Sequence, residues 1–343
     1  MNTNKVVPNI RPIPWQKLIL AIALVATIVV VLVSTKTLTD INKNIALAKE
    51  SARPANVKII TITTPNCSDC FNLDTAIAAL KKLNVKIESE TTLAFDSPEA
   101  SAFVKQFAIK KVPTYLVEGE VSKKNLESFI KANGKVTENT FIYTKMSPVY
   151  IDTETGQKMG KVTATLITDP SCLQCKDLKT VIDQFKKTGV TIPTITNLTW
   201  NSPDAQRLVN QYKITKIPTF IFSPEFDLYD GIENSWQNFG SVEQDKTYVM
   251  RNTPLPYRDV TKGQIVGLVD IVYLTDSSCT DCYKVSDVQK PILTNGYGIV
   301  LRFERTVDIA TTEGQDLISK YVITKAPTIL LSPEADQYSN LKN

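Results

Sequence analysis

The sequence predicts an α/β protein of three tandem domains, each a central mixed sheet flanked by helices, after one N-terminal transmembrane helix. Two observations support this fold class: a pair of linked motifs recurs three times at a domain-sized spacing, and one long apolar segment lies near the amino terminus. The composition agrees, because 43% hydrophobic and 22% charged residues are typical of globular domains. With 343 residues, the chain is long enough for two or three domains.

The apolar segment over residues 18–35 is the predicted membrane anchor. Leu18–Val33 contains no charged residue, and at about 1.5 Å per residue a helix over the whole segment spans roughly 27 Å, close to the ~30 Å hydrocarbon core of a bilayer. Trp15, Lys17 and Lys36 flank the segment, as is typical at membrane interfaces. A cleaved secretory signal is the alternative, but its apolar part usually has only about 7–15 residues.

The charges beside the anchor predict its orientation. The N-terminal tail, residues 1–17, carries basic residues and no acid, whereas residues 36–55 carry basic and acidic residues together. The positive-inside rule therefore favours a single-pass protein with a cytoplasmic amino terminus and with its domains outside, in the periplasm or at the cell surface. A protein that faces the cytoplasm is the alternative, since the flanking charges are nearly balanced. Residues 36–55 are predicted to form a tether that is partly helical up to Arg53.

Two motifs recur together three times along the remaining chain. The first cysteines of three Cys-x-x-Cys pairs are spaced at roughly 105 residues, which is the size of a domain. A motif with Pro-Thr follows each first cysteine after roughly 46–48 residues. The cysteines are Cys67 and Cys70, Cys172 and Cys175, and Cys279 and Cys282; the proline motifs are Val112-Pro113-Thr114, Ile217-Pro218-Thr219 and Ala326-Pro327-Thr328.

The segments around these motifs repeat as well. An apolar, β-rich segment precedes each cysteine pair, an amphipathic helix follows it, and a second helix with a Ser-Pro start in the first two copies precedes the proline. Each copy thus predicts a parallel βαβ unit followed by an antiparallel strand. A motif that begins at Tyr150 and recurs at Tyr257, Tyr-x-Asp-x-x-x-Gly-x-x-x-Gly, predicts a turn or hairpin that leads into the next domain.

These marks predict domains over residues 56–146, 147–253 and 254–343. After the first two prolines, a further apolar strand follows at Phe141 and Tyr248, whereas the sequence ends soon after Pro327. The third domain is therefore expected to lack its last strand. Either this domain is naturally minimal or the sequence is a fragment of a longer array.

A Cys-x-x-Cys pair at a strand-to-helix junction, followed by a hydrophobe-Pro-Thr loop, resembles the thioredoxin superfamily of thioredoxins, glutaredoxins and protein disulfide isomerases. The resemblance covers nearly all of residues 56–343. It implies thioredoxin-like domains in which Pro113, Pro218 and Pro327 follow cis peptide bonds and face the cysteine pairs. It also implies that the three proline motifs bind an extended substrate segment as an added strand.

A pair of this kind can carry out thiol-disulfide exchange. If the pair opens a helix, unpaired N–H groups and the helix dipole favour a thiolate at the first cysteine, which attacks the substrate. The second cysteine then resolves the mixed disulfide. The acid that assists proton transfer in thioredoxins lies six positions before the first cysteine, where this sequence has Thr61, Leu166 and Tyr273. Asp69 and Asp281, next to the second cysteines, either oppose a thiolate or cap the helix.

The composition also excludes several function classes. Histidine is absent, which excludes Ser-His-Asp and Cys-His nucleophiles and imidazole metal sites. The net charge of +4 is mixed along the chain, so no nucleic-acid partner is predicted. Structural disulfides, or a zinc ion held by two cysteine pairs, are alternatives for the cysteines.

The sequence thus predicts a membrane-anchored thiol-disulfide oxidoreductase or isomerase-like protein that needs no cofactor or metal. Its predicted partners are protein thiols and disulfides as substrates, a redox partner that recycles the cysteine pairs, and the membrane through residues 18–35. The alternative is a non-catalytic thioredoxin-like adaptor with structural disulfides that binds extended partner segments.

Overall fold

The structure is a computed structural model that describes residues 15–342. Residues 1–14, which form most of the predicted N-terminal tail, lie outside the described residues. The chain divides into two compact units. The first contains the chain through Thr63 together with Asn72–Ala108 and Thr114–Lys145, and the second contains Thr64–Phe71, Ile109–Pro113 and the chain from Met146 onward.

Helix α1 runs without a break from Trp15 to Ala52, a length of 38 residues. It contains the predicted anchor and the predicted tether, so the tether is helical almost throughout. From Leu18 onward α1 is long and apolar enough to cross a membrane, with a mean hydropathy of 2.9 over its most apolar window, and that window is exposed. The hydroxyl of Thr27 donates to the carbonyl of Leu24 at 2.8 Å, which gives this polar group a partner within its own helix.

Charged side chains join the end of α1 to the first sheet. Arg53 Nη1 donates to Glu120 Oε2 at 2.9 Å, and the same carboxylate oxygen accepts from the backbone N–H of Asn56 at 2.7 Å. Lys123 Nζ donates to the carbonyls of Glu50 and Arg53 at 2.8 and 2.9 Å, where the helix leaves acceptors without intrahelical partners. The Arg53 guanidinium lowers the pKa of Glu120 to about 2. The helix end and the start of the first strand are thereby held together.

The first repeat forms a five-stranded sheet in the order β2-β1-β4-β6-β5. Strands β1 and β2 are parallel, and β4 is antiparallel to β1, as the motif order predicts. Val57, Ile59 and Ile62 of β1 are fully buried, because branched side chains fill the core on the pleated strand. The elements are β1 (Ala55–Thr63), α2 (Asp74–Lys81), β2 (Val85–Ala94), α3 (Pro98–Gln106), β3 (Lys111–Val112), β4 (Thr114–Gly119), α4 (Lys124–Asn133), β5 (Gly134–Thr137) and β6 (Thr140–Tyr143).

The second repeat forms a sheet of the same order, β10-β9-β12-β14-β13. Its core is rich in aromatic rings: Phe185 meets Phe222 and Phe226 edge-on at 5.4 Å, and Trp236 is fully buried beside them. The elements are β7 (Tyr150–Asp152), β8 (Lys158–Met159), β9 (Thr163–Thr168), α5 (Lys179–Lys187), β10 (Thr194–Thr199), α6 (Pro203–Gln211), β11 (Lys216–Ile217), β12 (Thr219–Phe222), α7 (Ile232–Trp236), β13 (Gly240–Val242) and β14 (Tyr248–Met250).

The third repeat has a three-stranded sheet in the order β18-β17-β19 among the described residues. Strand β17 is parallel to β18 and antiparallel to β19, as in the other two repeats. Pro291 ends helix α8, and a single π-helical turn over Ile292–Gly296 follows it. The elements are β15 (Tyr257–Asp259), β16 (Gln264–Val266), β17 (Leu268–Thr275), α8 (Val285–Pro291), β18 (Val300–Asp308), α9 (Thr312–Tyr321) and β19 (Thr328–Leu331). The proposed domain boundaries remain predictions.

The repeated Tyr-x-Asp motif forms a hairpin, which we call a linker hairpin: β7–β8 is the first and β15–β16 is the second. Asp152 Oδ1 accepts from the N–H groups of Glu154 and Thr155 at 3.1 and 2.8 Å, which closes the turn. Gly156 follows in the left-handed region. At Gly160 a Cβ atom would lie 2.2 Å from Pro148 Cβ, so only glycine fits there.

Candidate active sites at the three disulfides

The six cysteines form three disulfides, each within one Cys-x-x-Cys pair. The Cα atoms of the bonded cysteines are 5.3, 5.3 and 5.4 Å apart, and no cysteine is free. Both sulfur atoms of every pair are bonded to each other. Among residues 15–342, no group of three or more cysteine or acidic side chains is placed to hold a metal ion.

The cysteine pairs lie in turns and do not open a helix. The N–H of Cys67 donates to the Thr64 carbonyl at 2.9 Å, and that of Cys70 donates to Cys67 at 3.2 Å. Cys172 and Cys175 have the same pattern. The following helices begin only at Asp74, Lys179 and Val285. The expectation that the first cysteine lies at a helix N-terminus was therefore wrong, and the helix dipole, which acts over about one turn, contributes little at these sulfur atoms.

All three proline motifs contain the cis peptide bond that the resemblance implies, before Pro113, Pro218 and Pro327. The threonine that follows has a structural role in the first two copies: Thr114 Oγ1 donates to the carbonyl of Tyr143 at 2.6 Å, and Thr219 Oγ1 donates to Met250 at 2.8 Å. Each bond joins the start of the strand after the proline to the neighbouring antiparallel strand of its sheet. That the proline motifs bind substrate stays a prediction.

The three proline motifs differ in exposure. All three residues are buried in the first two motifs and half-buried in the third: the buried ones are Val112, Pro113, Thr114, Ile217, Pro218 and Thr219, and the half-buried ones are Ala326, Pro327 and Thr328. The first cysteines follow the same pattern, because Cys67 and Cys172 are 7% and 6% exposed whereas Cys279 is half-buried. The second cysteine of every pair is half-buried.

The linker hairpins account for part of this difference. Strand β7 pairs antiparallel with β3, the two residues before Pro113, so that Val112 lies opposite Ile151. In the second repeat, Ile217 lies opposite Arg258 in the same arrangement. The backbone edge that was predicted to receive a substrate strand is thus paired with the chain's own linker in both cases.

Further contacts fix the first linker hairpin beside its disulfide. The N–H of Phe71, the residue after Cys70, donates to the Val149 carbonyl at 2.7 Å. Lys111 Nζ lies 4.4 Å from the centre of the Tyr150 ring, and Lys216 takes the same position 4.8 Å from the Tyr257 ring in the second repeat. A lysine precedes the third motif too, but within the described part of the chain no aromatic ring lies against Lys325.

Asp69, between the first two cysteines, forms ion pairs with the residues of the first linker hairpin and the segment after it. Lys161 Nζ binds its carboxylate, and Lys158 Nζ lies 3.5 Å from Oδ1. The hydrogen bond from Lys161 lowers the pKa of Asp69. Its Oδ1 also lies 3.5 Å from Cys67 Sγ, where it would repel a thiolate. Asp69 therefore does not cap a helix, and Asp281 of the third pair is exposed and outside a helix as well.

A buried acid that the sequence analysis missed lies three positions before Cys172. The side chain of Asp169 is 1% exposed and accepts from the N–H and hydroxyl of Ser171 at 2.9 and 2.7 Å. Its other oxygen accepts from Nε of Arg258, which the second linker hairpin supplies and which stacks on Trp200 at 4.6 Å. Burial alone would raise the pKa of Asp169, but the bonds from Ser171 and Arg258 outweigh it and lower the pKa.

The third site has the same local turn as the second, but without a counterpart of the Arg258 ion pair among the described residues. Asp276 accepts from the N–H and hydroxyl of Ser278, as Asp169 does from Ser171, but no arginine binds it in the described residues. The recurrence of Asp-x-Ser-Cys before the second and third pairs was the available sequence signal for this acid. It was missed because an acid was expected six positions before the cysteine.

No protein-family model matches the chain, and no curated protein matches it in sequence. Among solved structures, the chain is similar to ERdj5 in crystal form II, with 13% identity, a TM-score of 0.16, and coverage of 82% of this chain and 38% of that one. It thus spans about two fifths of the length of that structure.

Two further solved structures are similar to the chain. Human ERp44 in form II has 11% identity, a TM-score of 0.14, and coverage of 82% of this chain and 77% of that one. A protein disulfide oxidoreductase from Aeropyrum pernix has 14% identity, a TM-score of 0.15, and coverage of 51% and 77%.

The strand order, the three disulfides and the three cis-proline loops of this chain agree with the fold that the resemblance implies. The chain therefore contains tandem domains of the thioredoxin-like fold, in which each repeat carries one Cys-x-x-Cys disulfide and one cis-proline loop.

Proposed function

We propose that this chain is a thiol-disulfide oxidoreductase or isomerase-like protein that acts on protein cysteines. The observation that carries the proposal is the threefold recurrence of a disulfide in a turn, with a half-buried second cysteine and a cis-proline loop after the next two α-helices. A bridge across two residues constrains the unfolded chain little, so stabilisation alone is a weak reason to keep it three times.

The proposed reaction moves two electrons. In the reduced form, the thiolate of a first cysteine attacks a substrate disulfide, one substrate sulfur leaves as a thiolate, and a mixed disulfide forms. The second cysteine then attacks the mixed disulfide, which releases the reduced substrate and closes the bond within the pair. A partner dithiol restores the reduced pair, and the same steps in reverse oxidise a substrate.

We further propose that α1 anchors the protein in a membrane, with the amino terminus in the cytoplasm and the domains outside. The support is the exposed, apolar stretch of α1 and the basic residues that precede it in the sequence. A reporter enzyme that is active only outside the cytoplasm, fused to the carboxyl terminus, should be active. If instead a reporter that is active only in the cytoplasm were active at the same position, the proposed orientation would be wrong.

Turnover of a protein disulfide tests the proposed activity. The full chain in detergent should accelerate the reduction of insulin by dithiothreitol, and the variant with Cys67→Ser, Cys172→Ser and Cys279→Ser should not. Equal turnover by the wild type and the triple variant would refute catalysis by these pairs.

One observation favours a second candidate, a non-catalytic adaptor with structural disulfides. Cys67 and Cys172 are nearly buried, and a linker hairpin pairs with the edge beside each of them. In an adaptor, none of the three pairs would equilibrate with a glutathione buffer, because structural disulfides have potentials below the range of such a buffer. A redox titration of all three pairs in the folded protein distinguishes the two functions.

A further inference from the structure

We infer that helix α1 joins two copies of this chain in a parallel coiled coil. The contact surface is an apolar stripe in the part of the helix beyond the predicted anchor, and we call it the stalk stripe: Leu38, Ile41, Ile45 and Ala48. The inference goes beyond the proposed redox function and does not depend on it. The parallel direction of the two helices rests on the proposed membrane anchor.

The stalk stripe is exposed although its largest members are aliphatic. Leu38, Ile41 and Ile45 are 59%, 51% and 48% exposed. Every residue from 36 to 50 is exposed, so no other part of residues 15–342 covers this face of the helix. The stripe also lies beyond residues 18–35, the segment whose length matches the hydrocarbon core of a bilayer. Transfer of such side chains from water into an apolar contact is favourable, so the stripe is suited to association with a second molecule.

The spacing within the stripe is that of a coiled coil. Its four residues follow one another after three, four and three positions, which matches the a, d, a and d positions of a heptad repeat. The flanking e and g positions of this segment hold no acid and only one basic residue, Lys49, so like charges do not face each other across a parallel pair. The other charged residues lie farther from the stripe: Lys36, Asp40, Lys43 and Glu50.

The same seam continues into the predicted anchor. Ser34 and Thr27 lie seven and fourteen positions before Ile41, which places both hydroxyl side chains at d positions of the same heptad repeat. Small and hydroxyl-bearing residues are typical of contacts between helices in a bilayer, where they allow close approach and hydrogen bonds. The seam from Thr27 to Ala48 thus extends over about three heptads, the length at which such a pattern predicts a coiled coil.

The first sheet leaves the stripe free. The sheet is joined to α1 on the opposite side of the helix, where Lys123 Nζ lies 3.4 Å from Glu50 Oε1 and donates to the Glu50 carbonyl at 2.8 Å. Glu50 lies nine positions after Ile41, which at 3.6 residues per turn is about two and a half turns and therefore half a turn away from the stripe. A second helix can approach along the stripe without displacing this contact.

A second copy of the chain is the partner that these features fit. Two copies anchored through residues 18–35 have the same orientation and move in the same plane, so their stripes are parallel and meet at a high effective concentration. In a two-fold pair, each residue of the stripe lies opposite its own counterpart. A stripe that consists only of apolar side chains is complementary to itself in that arrangement.

Cysteine crosslinking of the full chain in its membrane tests the inference. Ile41→Cys places a thiol on the stripe, and the matched control Leu47→Cys places one at an exposed apolar position of the same helix that lies off the stripe. The native cysteines are paired with each other, so the introduced thiol is the only free one and the wild type gives the background. The membranes are oxidised with copper phenanthroline, and dimers are separated by electrophoresis without reductant.

We expect at least about fivefold more crosslinked dimer from Ile41→Cys than from Leu47→Cys, because a disulfide requires Cα atoms within about 7 Å. Ile45→Cys should behave like Ile41→Cys. Equal crosslinking at positions 41 and 47 would overturn the inference. The absence of a dimer at position 41 would overturn it as well, since the stripe would then contact lipid or a different protein.

Charge variants test the stripe without an introduced thiol. Leu38→Lys together with Ile45→Lys places like charges opposite each other in a parallel pair and should reduce co-purification of two differently tagged copies at least about fivefold. The control Leu47→Lys adds a charge off the stripe and should leave co-purification unchanged. Unchanged co-purification of the double variant would contradict a contact through the stripe.

The outcomes separate this inference from the earlier proposals. If the wild type stays in the membrane after alkaline extraction but gives no crosslink at position 41, self-association fails and the anchor stands. If cleavage removes α1 from the mature protein, both fail. The crosslink does not depend on the turnover of insulin, so loss of the proposed redox function would leave the inference standing.

Discussion

Arg258 of the second linker hairpin binds the buried carboxylate of Asp169, three positions before Cys172, across 89 positions of sequence. The contact joins the segment between the second and third repeats to the loop that carries the second disulfide. The centre of the Trp200 ring lies 4.6 Å from the guanidinium carbon of Arg258. The arginine therefore has a partner for its charge, Asp169, and another for its planar face, Trp200. Replacement of Arg258 should therefore change the stability of the second repeat and also the access of thiols to the Cys172–Cys175 disulfide.

Arg258→Ala should destabilise the second repeat by about 3–5 kcal/mol, because it leaves a buried carboxylate without its counter-charge. Urea unfolding of the full chain in detergent, followed by tryptophan fluorescence, measures the change. The control Arg302→Ala should cost at most about 1 kcal/mol, since its ion pair with Asp270 is exposed. A similar shift of the midpoint in both variants would contradict the burial argument.

Gly160→Ala should destabilise the first linker hairpin more than Gly156→Ala does. Both glycines lie in the left-handed region, which costs other residues about 1–2 kcal/mol. At Gly160 a Cβ atom would also lie 2.2 Å from Pro148 Cβ, whereas no atom lies within 4 Å at Gly156. Hydrogen exchange at the N–H of Phe71, which donates to Val149, reports the opening of the hairpin. Equal protection in the two variants would contradict this packing.

The ion pair of Glu120 with Arg53 should make stability depend on pH in the acid range. The pKa of Glu120 is about 2 in the folded protein, against 4.5 for the free side chain, so its contribution is present above pH 4.5 and is lost as the pH falls towards 2. Glu120→Gln should flatten the dependence of the unfolding midpoint on pH in this window. Glu154→Gln is the control, since Glu154 bears an exposed ion pair elsewhere. An unchanged slope in Glu120→Gln would refute the assignment.

Val25→Lys should weaken membrane retention. A lysine near the middle of an apolar span costs about 2.5–3.5 kcal/mol on insertion scales, and Val25 is exposed within the apolar stretch of α1. Extraction at alkaline pH separates integral from peripheral protein. The control variant Val25→Ala should remain in the membrane fraction. Amino-terminal sequencing of the wild-type protein separately distinguishes an uncleaved anchor from a signal peptide that is removed.

The repeat spacing and the flanking patterns were sufficient to predict the central strands and the order of parallel and antiparallel pairing, whereas the cis peptide bonds were implied only by the resemblance to the thioredoxin superfamily. The predicted strands depend on residues near one another in sequence, such as the alternating Ala55, Val57 and Ile59 of β1, and so does the start of α3, where the Ser97 side chain accepts from the N–H of Ala100 at 3.1 Å. Local periodicity and turn chemistry therefore carry most of the information about this fold.

The contacts of the linker hairpins with the first two sites were not predictable from local sequence. The register of β7 against β3 and the ion pair of Arg258 with Asp169 join segments far apart in sequence, and neither contact has a local pattern. The cysteine turns were expected to be helical because a helix follows them closely. Instead, Asp169 and Asp276 accept bonds from serines two positions later, a geometry that competes with helix formation.

The unbroken course of α1 determines how far the first sheet lies from the proposed membrane. Residues 36–52 continue the helix beyond the apolar stretch for about 25 Å, at 1.5 Å per residue. Hydrogen bonds from Lys123 and Arg53 join the end of this helical segment to the first sheet, so no flexible linker separates the helix from the sheet. The helical segment over residues 36–52 therefore sets a fixed spacing between the first sheet and the membrane in which α1 is proposed to be anchored.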